Sequence, residues 1–141
     1  MENLATFISN NILLVMAFLV VLIMLLMNIF GPAIKGYKLI TPALATQMIN
    51  AEDALILDIR QDNEYVGGHI VNSKHIPLSF LKDRLSELEK HKSKPVIAVC
   101  RTGHRSSHAC SVLKKAGFES VYNLSGGVLA WESANLPLTK S

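Results

Sequence analysis

A run of nineteen residues, 12–30, reads ILLVMAFLVVLIMLLMNIF and is apolar apart from Asn28. No other stretch limits this chain so strongly. As a helix rising about 1.5 Å per residue it spans roughly 28 Å, close to the hydrocarbon thickness of a bilayer. No Lys or Arg precedes it and no small-residue cleavage site follows it. Its apolar part also outruns a typical secretory h-region. The expectation is a retained transmembrane anchor. A buried core helix is the alternative, which so long an uncharged stretch disfavours. Met16, Met24 and Met27 suit lipid as well as leucine does, so the methionines imply no cofactor.

Flanking charge gives an expected orientation. Before the run stand Glu2 and the amino terminus; after it come Lys35 and Lys38. The positive-inside rule then places the carboxyl side in the cytoplasm. The expected segments are an N-terminal flank (1–11), the membrane helix (12–30), a linker (31–39) containing GPAIKG, and one domain over 40–138. All fourteen Lys and Arg follow the helix, against ten of the eleven Asp and Glu, a balance of +4. That is mild. With no lysine run or basic helix, nucleic acid is not the expected partner. The two cysteines, Cys100 and Cys110, are too few for a disulfide framework, and a cytoplasmic domain keeps them reduced.

Past the linker, strand and helix signals alternate. TPALATQMI (41–49) offers Thr41 as N-cap and Pro42 at the first helical position. ALILDI (54–59) and PVIAVC (95–100) are continuously apolar strands, and SVYNL (120–124) is a third. NEYVGGHIVNSKHIP (63–77) reads as loop. SFLKDRLSELEKH (79–91) places Phe80, Leu81, Leu85 and Leu88 on one face of an amphipathic helix capped by Ser79. RSSHACSVLKKAG (105–117) reads as a helix ending at Gly117, and GGVLAWESA (126–134) as a last short one. The alternation implies a small α/β domain with a mostly parallel central sheet flanked by helices.

Ligands of such sheets bind beyond the carboxyl ends of the strands, and VCRTGHRS (99–106) sits at such a point. Cys100 follows an apolar strand and precedes a helix. Backbone amides of residues 101–106, the helix amino end and the charges of Arg101 and Arg105 all favour a thiolate over a thiol. Gly103 permits a backbone conformation that a side chain would forbid. The pattern suits a nucleophile attacking an electrophilic atom carried by an anion, with the loop holding the adduct. Sulfane-sulfur transfer and phosphoryl transfer both fit.

The chain from about residue 40 to 138 resembles a single-domain rhodanese, a sulfurtransferase. Cys100, Arg101, Gly103 and Arg105 match that family's Cys-Arg-x-Gly-x-Arg loop. LDIRQDNEYVGGHIVNSKHIPL (57–78) resembles its upstream signature and NLSGGVLAWESANLP (123–137) its closing Gly-Gly and Trp segment. The resemblance also bears on the chemistry. The family's active loop has six residues, here Cys100 to Arg105, whereas the related phosphatases have seven. A tighter cradle suits one sulfur atom and crowds a tetrahedral phosphate, which disfavours a phosphatase or arsenate reductase.

The resemblance implies a small rhodanese-like domain in which Cys100 carries a persulfide, with no cofactor or metal. Arg101, Thr102, Gly103, His104, Arg105 and Ser106 would bind an anionic donor such as thiosulfate, and a thiol, cyanide or protein acceptor would remove the sulfur. A membrane-tethered binding module without activity is a further alternative. That alternative would stand if Cys100 were buried with both arginines turned elsewhere. Cys100, His104 and His108 mimic metal-ligand spacing, but the loop position of Cys100 breaks the helical register. Cys110 is read as core, with a resolving cysteine as the alternative. Asp58, Arg60, Glu64 and His69 are read as structural ties at the end of the sheet, and Trp131 as core.

Overall fold

The computed structural model describes residues 3–34 and 36–140. The chain divides into two units, Met1–Lys35 and Gly36–Ser141. The first holds helix α1 (Leu4–Asn10) and helix α2 (Ile12–Ile34). Within α2, Ile12–Gly31 is long and apolar enough to cross a membrane, and none of it is buried. The expected linker from residue 31 is shorter than its composition suggested, because the backbone stays helical through Gly31 and Pro32 to Ile34. A proline this near a helix end forfeits one backbone hydrogen bond and leaves little helix beyond it to disrupt. Of the flanking charges, Glu2 and Lys35 lie outside the described residues.

The second unit runs β1 (Lys38–Ile40), α3 (Pro42–Glu52), β2 (Leu55–Asp58), α4 (Asp62–Val66), β3 (His69–Ile70) and β4 (Lys74–His75). After these come β5 (Pro95–Val99), α5 (His104–Lys115), β6 (Ser120–Leu124), α6 (Gly127–Ser133) and β7 (Leu138–Thr139). The central sheet has strand order β1-β6-β5-β2-β4. Every neighbouring pair in it is parallel. β3 and β7 form a separate antiparallel pair.

The apolar runs become strands because both of their faces are covered. Along β5 the side chains alternate. Val96, Ala98 and Cys100 enter one buried cluster with Leu57, Leu88, Ala109 and Leu113. Ile97 and Val99 enter another with Ile56, Leu124, Val128 and Trp131. Helix α3 starts as its sequence directs, with the Thr41 hydroxyl accepting the Leu44 amide at 3.2 Å and Pro42 in the first turn.

Two expectations need correction. Residues 79–91 are not one α-helix but two 3-10 segments, Leu78–Phe80 and Leu85–His91, joined by turns. Three residues per turn align Leu78 with Leu81 and Leu85 with Leu88. Leu81 and Leu88 are buried, while Phe80 is 54 % exposed and falls off the apolar stripe. The stretch 63–77 is not all loop. It contributes α4, β3 and β4, and β4 extends the central sheet through the pairs Leu57–Lys74 and Asp58–His75. At two residues, β4 is too short to register as an alternating pattern.

Candidate functional site

β5 ends at Val99, and the chain turns through residues 100–103 into α5. The turn is possible because Gly103 takes φ +96°, and a Cβ there would stand 3.3 Å from the Leu124 carbonyl oxygen. From outside, α6 clamps the loop. The amides of Val128 and Leu129 donate to the carbonyls of Cys100 and Arg101 at 2.9 and 3.2 Å. Gly127, at φ +58°, lies so close that a Cβ would come within 2.3 Å of the Cys100 carbonyl oxygen.

The Cys100 sulfur accepts the Gly103 amide at 3.0 Å and lies 3.3 Å from the Ser106 hydroxyl. Burial, the largest single influence, pushes this thiol up. Hydrogen bonds that the thiolate can accept from the Ser106 hydroxyl and from the amides of Ser106, Thr102 and Gly103 outweigh it, so the net displacement is below the ordinary cysteine value. Hydrogen bonds therefore favour the thiolate more than the arginine charges do. Cys100 is 1 % exposed, enclosed by the loop and the first turn of α5.

The six other loop residues part company. Arg105 makes a bidentate pair with Glu64 of α4, both contacts at 2.8 Å. Arg101 is exposed, and among the described residues its guanidinium has no hydrogen-bond or ionic partner. It borders a cavity of about 280 Å³ that Arg60, Glu64, Gly68, Val128 and Glu132 also line. Thr102 and His104 are exposed and Gly103 is half-buried. Ser106 is fully buried inside α5 rather than at its cap. His104 and His108 are exposed while Cys100 is buried, so the three are not gathered as ligands.

Around this loop the structural ties are dense. Asp58, at the end of β2, grips the Arg60 side chain at 2.7–3.0 Å, and Arg60 also donates to the Gly68 carbonyl at 2.8 Å. Tyr65 is sandwiched between His69 and His75, with ring centroids 3.7 and 4.2 Å away. The Trp131 indole donates to the Pro137 carbonyl at 3.0 Å. Cys110 packs in the core. Burial, followed by the nearby Cys100 charge, pushes it up to about 12.

Asn123 was not singled out in the sequence. It is 2 % exposed on β6, its Nδ2 donates to the Gly103 carbonyl at 3.0 Å, and its Oδ1 accepts from the Ser106 hydroxyl. The available signal was a lone amide within the apolar strand SVYNL.

The family described as the rhodanese-like domain matches residues 41–134. The Escherichia coli protein YibN, itself uncharacterized, is 37 % identical over 99 % of this chain and 99 % of its own. The thiosulfate sulfurtransferase GlpE of Pseudoalteromonas translucida is 38 % identical, covering 70 % of this chain and 92 % of its own. Among solved structures, a rhodanese-related protein from Thermoplasma volcanium superimposes with TM-score 0.67 at 30 % identity, over 74 % of this chain and all of that one.

Proposed function

This chain belongs to the family of rhodanese-like domains, and from that membership we propose that it is a sulfurtransferase working through a persulfide on Cys100. The observation that carries the reading is the sulfur of Cys100 held by the Gly103 amide at 3.0 Å at the carboxyl end of β5. The likeness to relatives bearing the sulfurtransferase name supports it.

In the first step the Cys100 thiolate attacks the sulfane sulfur of thiosulfate or of a persulfide donor. A sulfur–sulfur bond forms at Cys100, the donor's own sulfur–sulfur bond breaks, and sulfite or a thiolate leaves with the electron pair. In the second step a thiol, cyanide or protein acceptor attacks the terminal sulfur and Cys100 departs as thiolate. The Thr102 and Gly103 amides meet the charge at the sulfur. Arg101, without a partner among the described residues, meets the donor's anionic end, while Arg105 holds α5 to α4 through Glu64. Because Cys100 is 1 % exposed, the rim residues Arg101–His104 must part to admit a donor.

Ile12–Gly31 serves as a retained anchor in this reading, with the catalytic domain on the cytoplasmic side, as the lysines after the helix suggest. The burial of Cys100 and the pairing of Arg105 with Glu64 favour one other reading, a tethered binding module without activity.

The test is mass spectrometry of the full-length protein in neutral detergent after exposure to thiosulfate. A gain of one sulfur on Cys100, discharged by cyanide and absent in Cys100→Ser, is expected. An unmodified Cys100 would leave the binding module, and phosphatase turnover without sulfur gain would replace the sulfurtransferase altogether.

A further inference from the structure

We infer that Asn123 is a positioning residue that holds the Ser106 hydroxyl proton away from Cys100, so that ionising the thiol requires that proton to swing onto the sulfur. The inference rests on the reading of Cys100 as the nucleophile.

Donor and acceptor rules leave one arrangement. The Gly103 carbonyl can only accept, so Asn123 must present Nδ2 to it, at 3.0 Å. That turns Asn123 Oδ1 toward Ser106. Oδ1 carries no proton, so the Ser106 hydroxyl donates to it. A serine hydroxyl has one proton, and it is now committed. In the 3.3 Å contact between Cys100 Sγ and Ser106 Oγ, the donor must therefore be the thiol.

Ionisation reverses the last link. When the Cys100 proton leaves to water, the sulfur becomes an acceptor only. Ser106 can then satisfy it by rotating its hydroxyl, which strips Asn123 Oδ1 of its donor. Asn123 is 2 % exposed and Ser106 is fully buried, so water does not replace the lost bond. The Gly103 amide stays on the sulfur in both states. The thiolate thus has its backbone amide donors in place and one further donor, the Ser106 hydroxyl, that Asn123 contests. With a persulfide on Cys100 the charge moves to the terminal sulfur, and the Ser106 proton returns to Asn123.

The other charged and titratable groups near the thiol come from several elements. Arg101 lies in the loop, and His104, Arg105 and Cys110 on α5. Glu64 of α4 pairs with Arg105, and Asp58 of β2 pairs with Arg60. Among the described residues, none of their side chains hydrogen-bonds the Cys100 sulfur.

The test follows the iodoacetamide alkylation rate of Cys100 against pH in the full-length protein in detergent, read on the Cys100 peptide. Asn123→Ala frees the hydroxyl proton, so its midpoint falls and its rate below the midpoint rises on the order of tenfold. Ser106→Ala raises the midpoint. The double variant matches Ser106→Ala alone, because Asn123 acts through Ser106. A midpoint raised by Asn123→Ala, or shifted equally in both backgrounds, overturns the inference. Should Asn123→Ala fail to fold, infrared spectra of the unmutated protein decide. A hydrogen-bonded S–H stretch that vanishes in Cys100→Ser supports the arrangement, and a free S–H band overturns it. Neither readout needs sulfur transfer, so a failure of the activity and a failure of this inference are told apart.

Discussion

Glu64 and Arg105 are 41 positions apart and meet in a bidentate pair that neither motif announces alone. The Arg105 hydrogen bonds, opposed by burial, hold Glu64 at about 2 against its ordinary 4.5. Because the folded-state value is depressed, the stability this pair contributes is complete above pH 4.5 and is lost as pH falls toward 2. Glu64→Gln should therefore cost about 1–2 kcal/mol at neutral pH, a figure discounted for the partly exposed guanidinium. It should also flatten the acid limb of the stability profile, as chemical denaturation at stepped pH would show. An unchanged acid limb would mean that the pair is screened out. Charge near a cysteine is legible in sequence, as at Arg105, but the carboxylate that pairs with that arginine is not.

At the scale of elements, the amino end of α6 determines where the loop sits. Its Gly127 packs its backbone against the Cys100–Arg101 peptide, so the Cβ of Gly127→Ala would meet that backbone at 2.3–2.5 Å. Left-handed strain and overpacking together should cost about 2–5 kcal/mol. Persulfide formation should slow as the loop shifts. Gly117→Ala is the control, because Gly117 also has a positive φ, +93°, but nothing lies within 4 Å of its Cβ position. It should cost about 1 kcal/mol by thermal melting and leave sulfur loading unchanged. Equal losses at both sites would remove the clamp from the account. β2, β5, β6 and α5 were legible because their apolar runs and end signals are local. The 3-10 character of 85–91 was not, since Leu85 and Leu88 satisfy both a three-residue and a 3.6-residue repeat.

For the whole molecule, the prediction concerns the apolar helix. Full-length protein should stay with the membrane fraction after a carbonate wash, and protease added outside sealed cells should spare the domain. Release by carbonate would rule out a spanning helix, and cleavage from outside would reverse the orientation. Length and composition alone carried that expectation, as they carried the α/β class: apolar runs of a given length need lipid or two covering layers wherever they fall. The Cys-Arg-x-Gly-x-Arg spacing likewise named the loop. The depth of Cys100, the pairing of Arg105 with Glu64 and the grip of Asn123 on Ser106 came only with the tertiary structure. Each depends on which distant atom occupies a hydrogen-bonding direction. That is settled by how β6, α4 and α6 pack around the end of β5, and no local pattern of residues encodes it.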